Sequence, residues 1–489
     1  MRMTTTIFLL LLALNVSGQK IVVGAKHFNE GYILGEMIAV LLEQEGFEVE
    51  RKFNLGGTAV IYEALKSRSI DIYPEYTGTL AEEVLKSKTR LDYNALKERL
   101  LTDLQLEISG SYGFNNTYAL ATTGAKASEL NLKSISDLRD HPDLTAALSY
   151  EFLKRQDGWD NLKSAYGLSI SPVGIEHGLA YQAITSDKVE LTDVYSTDGE
   201  IKKYGLVLLE DDLDYFPKYN PVSVYHTDLD PGVKAIVSKL TGKISEEEMQ
   251  TMNASVLFEE KSFNEVVNEF LLSERLIGNT QVMNQTSYWG EILEKTIAHL
   301  GITAVSLGLA ILVAVPLGIL LYLFSSISRP VLYFVGLLQT IPSIALLALM
   351  IPLIGIGRMP AIVALFLYAL LPILRNTTTG LTSVDPVLRK VARGMGMTAI
   401  QRLRYVEFPL AMPSILGGIR TAAVITIGTA TLAAFIGAGG LGEFIVTGLA
   451  LNNTQLILQG AIPAAVLAIM VEFVFELLEK ALIPKHLRT

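Results

Sequence analysis

The stretch IVVGAKHFNEGYILGEMIAVLLEQEGFEVERKFNLGGTAVIYEALKSRSIDIYPEY, residues 21–76, decides the architecture of the first half of the chain. IVVGAK is a compact apolar strand. After it, Ile33, Leu34, Met37, Ile38, Leu41 and Leu42 recur at helical spacing and make one apolar stripe. Asn29 is placed to cap that helix and Gly46 to end it. FEVERKFNLGG reads as a strand plus a glycine turn, TAVIYEALKSRS as a second helix, and IDIYPEY as a further strand, with Pro74 and Gly78 shaping a bend around its end. Strands alternating with helices predict an α/β architecture with a mostly parallel sheet.

The alternation resumes after about Thr122. SISDLRDHPDL offers a helix start at Ser136, TAALSYEFLKR a strand running into a helix, and ISPVGI, LTDVYSTDG and GLVLLEDD further strand and turn pieces. From about 222 to 276 the chain reads as helical. Two α/β lobes follow, with crossings near 120 and 220: lobe 1 from about 19–121 and 222–283, lobe 2 from about 122–221. A ligand is expected in the cleft between them, at the carboxyl ends of strands.

Residues 1–18 read as a signal peptide, with Arg2 as its basic start, a short apolar core at 7–14 and small residues at 16–18. That apolar run is too short to cross ~30 Å of hydrocarbon. The expected binding domain, 19–283, therefore lies outside the cytoplasm.

From 284 to 489 the pattern changes to long apolar runs. Five spans are expected, at about 298–324, 331–354, 360–374, 414–437 and 456–478. Pro316, Pro342, Pro352 and Pro372 lie in or near them, where neighbouring helices can satisfy freed carbonyls. The loop before the fourth span carries Arg389, Lys390, Arg393, Arg402 and Arg404, and the tail Lys480, Lys485 and Arg488. The loop before the fifth has no lysine or arginine. The positive-inside rule makes the basic loop and tail cytoplasmic. Counting back puts Tyr288 and Trp289 at the outer interface, in agreement with an exported first half.

Composition removes several functions. A net charge of −10 without a basic stretch argues against nucleic acid. Zero cysteines exclude disulfides, thiolate metal sites and a cysteine nucleophile. The histidines are scattered, so no metal is expected. The chain contains no G-x-x-x-x-G-K-[ST] phosphate loop and no HExxH or GxSxG set. It reads as a non-enzyme without a cofactor of its own.

Six pieces occur in order: GAKHFNEGYILGEM, LGGTAVIYEAL, DIYPEYTGT, GFNNTYALA, YSTDGEI and DDLDYFPKYNPV. With them, segment 20–280 resembles the extracytoplasmic substrate-binding proteins of the quaternary-amine uptake family, which take glycine betaine, carnitine or choline. The resemblance implies a cation cage at Tyr76, Tyr118, Tyr195 and Tyr219, and carboxylate donors at Lys26, Arg155 and Thr79. The chemistry agrees. A trimethylammonium group has no hydrogen-bond donor, so ring faces must hold it, each worth ~0.5–2 kcal/mol. Tyrosine suits a wet cleft because its hydroxyl stays satisfied. A carboxylate needs fixed cationic donors. A zwitterion carrying both groups, such as glycine betaine, proline betaine, carnitine or ergothioneine, is expected to fit better than choline. Taken singly, each tyrosine reads as lobe packing, Lys26 as solvated, Thr79 as a turn residue, and Lys154-Arg155 as an exposed helix face.

RKVARGMGMTAIQRLRYVEFPLAMPSILGGIRTA resembles the coupling loop of ABC-importer permeases, here about 385–413. The family pattern is Glu-Ala-Ala, three residues, Gly, nine residues, Ile, one residue, Leu-Pro. Ala392, Gly396, Val406, Phe408 and Pro409 fall at those spacings; Lys390 and Val391 depart from it. The resemblance implies two short helices bent at Gly396 that dock on a separate ATP-binding subunit, with two copies of the chain paired in the membrane. GAGGLGEFI, residues 437–445, also looks like this family, its glycines allowing close packing or a broken helix. A fused binding protein and permease is thus expected, with a ligand-gated channel as the rival reading and an enzyme a distant third.

Overall fold

A computed structural model describes residues 20–87, 89–155, 157–259, 261–279, 288–451 and 453–483. The expected signal peptide, Lys485 and Arg488 fall outside these. The chain divides into two compact units, Met1–Phe53 with Gly57–Asn284, and Asn54–Gly56 with Gln285–Thr489.

Among its described residues the first unit holds ten strands: β1 (Lys20–Gly24), β2 (Glu48–Lys52), β3 (Ile72–Tyr76), β4 (Leu106–Ile108), β5 (Tyr118–Thr123), β6 (Ala146–Ser149), β7 (Val173–Ile175), β8 (Leu191–Tyr195), β9 (Leu206–Leu208) and β10 (Pro221–His226). They form two five-stranded sheets, ordered β2-β1-β3-β10-β4 and β7-β6-β8-β5-β9. In the first, β1 is parallel to β2 and β3, and only β10 is reversed. In the second, β6 is parallel to β7 and β8, and only β5 is reversed. Each sheet is therefore mostly parallel, and each reversed strand is the first after a crossing between lobes.

Four sequence expectations shift here. Tyr118 opens β5, so the first crossing precedes it instead of falling near 121. The chain re-enters the first sheet as β10 before the helices Pro231–Val237, Glu246–Phe258 and Phe263–Ser273. After β6 the chain makes turns, not a helix, and Arg155 lies in that turn segment. Ser134, not Ser136, caps the short helix Ile135–Asp140, because its side chain and that of Asp137 form a capping box.

The helix Asn29–Gln44 is buried nearly all round, beyond its predicted stripe, because it packs on the sheet and also under the helices Glu246–Phe258 and Phe263–Ser273. Burial of Glu36 is compensated by Arg51 of β2, whose Nε donates to Glu36 Oε2 at 2.7 Å and whose Nη1 donates to Glu43 Oε1 at 2.6 Å. Asn29 is not the cap. Phe28 holds that position without a side-chain bond, and Asn29 Nδ2 donates to Asn253 Oδ1 at 3.0 Å instead. Gly46 does follow the end of the helix, with φ +86°.

Pro74 is no bend residue. It lies mid-strand in β3 opposite Ser223. Ser223 turns its N–H and C=O toward Ser109, so the Pro74–Ser223 pair exchanges no ladder bond. The missing N–H therefore breaks no bond to β10. Gly78 has a different reason to be glycine: a Cβ on it would stand 2.5 Å from Cε1 of Tyr219.

The second unit is helical. Trp289–Leu323, Arg358–Thr382, Ala399–Phe435 and Thr454–Leu482 are each long and apolar enough to cross a membrane. The expected second span is broken: Ser325–Thr340 and Ser343–Ile354 meet at 95° across Ile341 and Pro342. The third is longer than its apolar run suggested, reaching Thr382. Pro372 leaves the carbonyl of Tyr368 without its helical donor, and Gln339 Nε2 supplies one at 2.7 Å. GAGGLGEFI is a broken helix: Gly437, Gly439 and Gly440 all have positive φ between the turn Thr431–Phe435 and the helix Gly442–Ala450. Gly442 also allows backbone contact, since a Cβ there would meet Thr431 O at 1.9 Å.

Candidate binding site

Tyr76, Tyr118 and Tyr195 stand at strand ends, and Tyr219 lies two residues before β10. Tyr76 ends β3 and lies opposite Pro221, the neighbour but one of Tyr219. Tyr118 opens β5 and lies opposite Tyr195, the last residue of β8. Because β5 and β10 run against their neighbours, their first residues meet the carboxyl ends of β8 and β3. The segments between sheets are pinned together. Asn115 Oδ1 accepts from Tyr219 N at 2.7 Å, and Asn116 N donates to Tyr219 O at 3.1 Å.

Tyr118, Tyr195, Tyr219 and Arg155 form one contiguous group. The Tyr118 ring centroid is 4.9 Å from that of Tyr195 and 6.4 Å, edge-on, from that of Tyr219. The hydroxyls of Tyr118 and Tyr195 are 3.3 Å apart. The Arg155 guanidinium lies 5.4 Å from the Tyr118 ring and 5.9 Å from the Tyr219 ring. Its Nε donates to Asp157 Oδ1 at 2.7 Å, and its Nη2 donates to Asp157 Oδ2 and to the Tyr219 hydroxyl at 3.0 and 2.9 Å. The Tyr219 hydroxyl in turn donates to Asp157.

Tyr76 and Lys26 form the second group. Lys26 Nζ lies 5.3 Å from the Tyr76 ring and 5.4 Å from the Phe28 ring, and it donates to Glu75 at 2.6 Å. Thr79 stands apart: it is buried on the turn after β3, and no hydrogen bond among the described residues joins its side chain to the other six. A cavity of about 890 Å³ opens beside Gly78, Glu82 and Asp157. The four rings are not in its wall.

Sequence reasoning missed four residues that build this site. Glu30 is buried and gathers four donors: Tyr76 and Asn116 on one oxygen, Thr197 and Asn253 on the other. Burial raises its pKa against those bonds. Asp157 holds Arg155. Burial, and then the charge of Asp157, push Glu82 up to about 7. His177 backs the Tyr195 ring at 4.8 Å. Burial works against the charged imidazole, but the bond to Asp198 with the charges of Asp198, Asp193 and Glu200 outweighs it, holding His177 at about 9. Glu30 lies inside HFNEG and Asp157 two residues after Arg155, so both were in view; only the fold shows what they meet.

In the second unit, the basic segment forms the helix Pro386–Gly394, a turn with Gly396 at φ +81°, and the short helix Ala399–Arg402, closed by a Thr398–Gln401 capping box. Ala392 is buried, Val406 and Phe408 are half-buried, and Pro409 is exposed in the first turn of Phe408–Ala430. Glu407 is buried and accepts from Arg402 Nε at 2.7 Å, with Arg389 Nε at 4.0 Å. Val391, Met395 and Ile400 are largely exposed.

The family model of the substrate binding domain of ABC-type glycine betaine transport systems matches residues 19–273. The chain belongs to this family. Residues 296–486 match the binding-protein-dependent transport system inner membrane component. Among relatives, the glycine betaine/carnitine/choline transport system permease protein OpuCB of Bacillus subtilis (strain 168) is 48% identical over 199 residues, 41% of this chain and 92% of its own. The carnitine transport permease protein OpuCB of Listeria monocytogenes is 51% identical over 197 residues, 40% of this chain and 90% of its own. A solved glycine betaine/carnitine/choline ABC transporter chain is 30% identical, covering 52% of this chain and 99% of that one, at TM-score 0.49.

This glycine betaine-type ABC transport chain therefore unites a binding domain with an inner-membrane permease domain. It is a multi-pass transport component and not an enzyme. The channel reading finds no support, since both halves are ABC transport components.

Proposed function

We propose that the chain captures a zwitterionic quaternary ammonium compound of the glycine betaine type outside the cytoplasm and passes it through its own membrane domain. The observation that carries the substrate class is the Tyr118–Tyr195–Tyr219 group with Arg155 against its rings. The rings offer faces to the trimethylammonium end. Arg155 and Lys26 supply charge-assisted donors for the carboxylate, with Thr79 the third. Tyr76 comes from the first sheet, and Tyr118 and Tyr195 from the second, so a ligand held by all of them ties the lobes together. Carnitine, choline and ergothioneine are the alternatives at the same site. The relatives' names, which include choline and carnitine, support the class without ranking its members.

The transport cycle needs a cytoplasmic ATP-binding subunit. Support comes from the coupling segment, whose exposed Val391, Met395 and Ile400 give the two short helices an apolar face for a partner groove. Glu407, clasped by Arg402, ties that segment to the long helix behind it. Two copies of the chain pair around one path, each with an ATPase below. Fusion keeps the captor at high effective concentration beside its permease. Titrating the full chain in detergent with glycine betaine, carnitine, ergothioneine and choline tests the substrate reading. Saturable binding of the betaines, tighter than choline, supports it; no binding of any of them refutes it.

A further inference from the structure

Both cations assigned to the substrate carboxylate already hold a carboxylate of the chain. Lys26 meets Glu75, and Arg155 meets Asp157 through two parallel bonds. The second pair reaches further into recognition. Asp157 is only 7% exposed and also receives the Tyr219 hydroxyl, so it touches a cage ring and the guanidinium together. Two more acids face the same arginine: Glu82 Oε2 at 3.6 Å from Nη2 and Glu151 Oε1 at 3.7 Å from Nη1. One guanidinium thus stands among three carboxyl groups, 5.4 Å from the Tyr118 ring.

A bidentate fork spent on Asp157 is not available in the same geometry to a second carboxylate. A betaine must share Arg155 with Asp157 or displace it. Choline meets no such competition, and its net positive charge gains from the surrounding anions. Resting on the reading of the rings as the ligand site, we propose that Asp157 is a specificity-determining residue. It competes with the substrate's carboxylate for Arg155 and so sets how strongly the site prefers a betaine over choline. Specificity is a difference of two affinities, and one internal anion moves the two in opposite senses.

The test is the affinity of the full chain in detergent for glycine betaine and for choline, in wild type and Asp157→Asn. The asparagine keeps the shape and one acceptor while removing the charge. Glycine betaine should bind tighter and choline weaker, raising the betaine-to-choline affinity ratio about tenfold, the scale of one nearby charge. Asp157→Glu should bring the ratio back toward wild type. An unchanged ratio in Asp157→Asn, or equal loss of both ligands, overturns the proposal, since a structural role would weaken both together. Should Asp157→Asn not fold, Glu82→Gln, titrated at pH 8.5 where Glu82 is ionised, removes a more exposed member of the same field; it should shift the ratio in the same sense by less, and no shift overturns the proposal. Wild-type protein that binds neither ligand refutes the ring site itself, whereas wild-type binding with an unmoved ratio strikes only the role of Asp157.

Discussion

The carboxylate of Glu30, on the first lobe, accepts the hydroxyl of Thr197, on the second, at 2.5 Å. Its other oxygen receives Tyr76, a proposed cage wall, at 2.5 Å, and Asn116, from the crossing segment, at 2.9 Å. One buried acid thus joins both lobes, the segment between them and a tyrosine of the proposed site. Glu30→Gln puts an amide donor where two donors already point. It should cost ~1–3 kcal/mol, the penalty of an unsatisfied buried polar group. The expected result is a lower unfolding temperature and weaker glycine betaine binding. Calorimetry and titration check both, and wild-type values for the pair would remove Glu30 from this role.

Tyr195→Ala and Tyr219→Ala should each weaken glycine betaine binding by ~0.5–2 kcal/mol, the worth of one well-placed ring. Tyr195→Phe keeps the ring and should lose less than Tyr195→Ala. Titration of the three variants checks this. Binding unchanged in both alanine variants would contradict the cage.

His177 gives a pH dependence of stability. Its folded pKa of about 9 stands above the ordinary 6.5. A raised pKa contributes stability fully present below pH 6.5 and lost as pH rises through about 9. The unfolding temperature of the wild-type protein should fall across that window, and His177→Gln should flatten the fall. Equal slopes in the two proteins would show that the Asp198–His177 pair does not hold the proton.

Glu407→Gln should separate binding from transport. The change leaves Arg402 and Arg389 without their buried anion but touches no residue of the first unit's site. Uptake should fall steeply, because breaking one half of a buried pair costs ~3–5 kcal/mol locally, while glycine betaine affinity stays at the wild-type value. Equal loss of affinity would show that the buried acid acts on binding instead of coupling.

Much of this was legible in the sequence, for physical reasons. The six apolar positions from Ile33 to Leu42 fixed a helix, and the apolar runs after residue 300 fixed the membrane half. Alternation cannot report what packs on a helix from its far side, and so Asn29 read as a cap when Asn253 had claimed its amide. It cannot report register either: Pro74 looked like a bend until Ser223 opposite turned its polar groups away. The 95° break at Pro342 falls in the short stretch Gln339–Ser343, which a hydropathy average smooths into one span. The tyrosines were found through motifs, yet Asp157 and Glu30 were not, because a carboxylate's role depends on which donors the fold brings to it.

The most direct test of the central claim is uptake of labelled glycine betaine by vesicles carrying the full chain, with and without its ATP-binding partner and ATP. Accumulation that requires both, and that falls in Tyr219→Ala at sub-saturating glycine betaine, is the predicted result. Flux that proceeds without ATP or the partner would contradict the importer account.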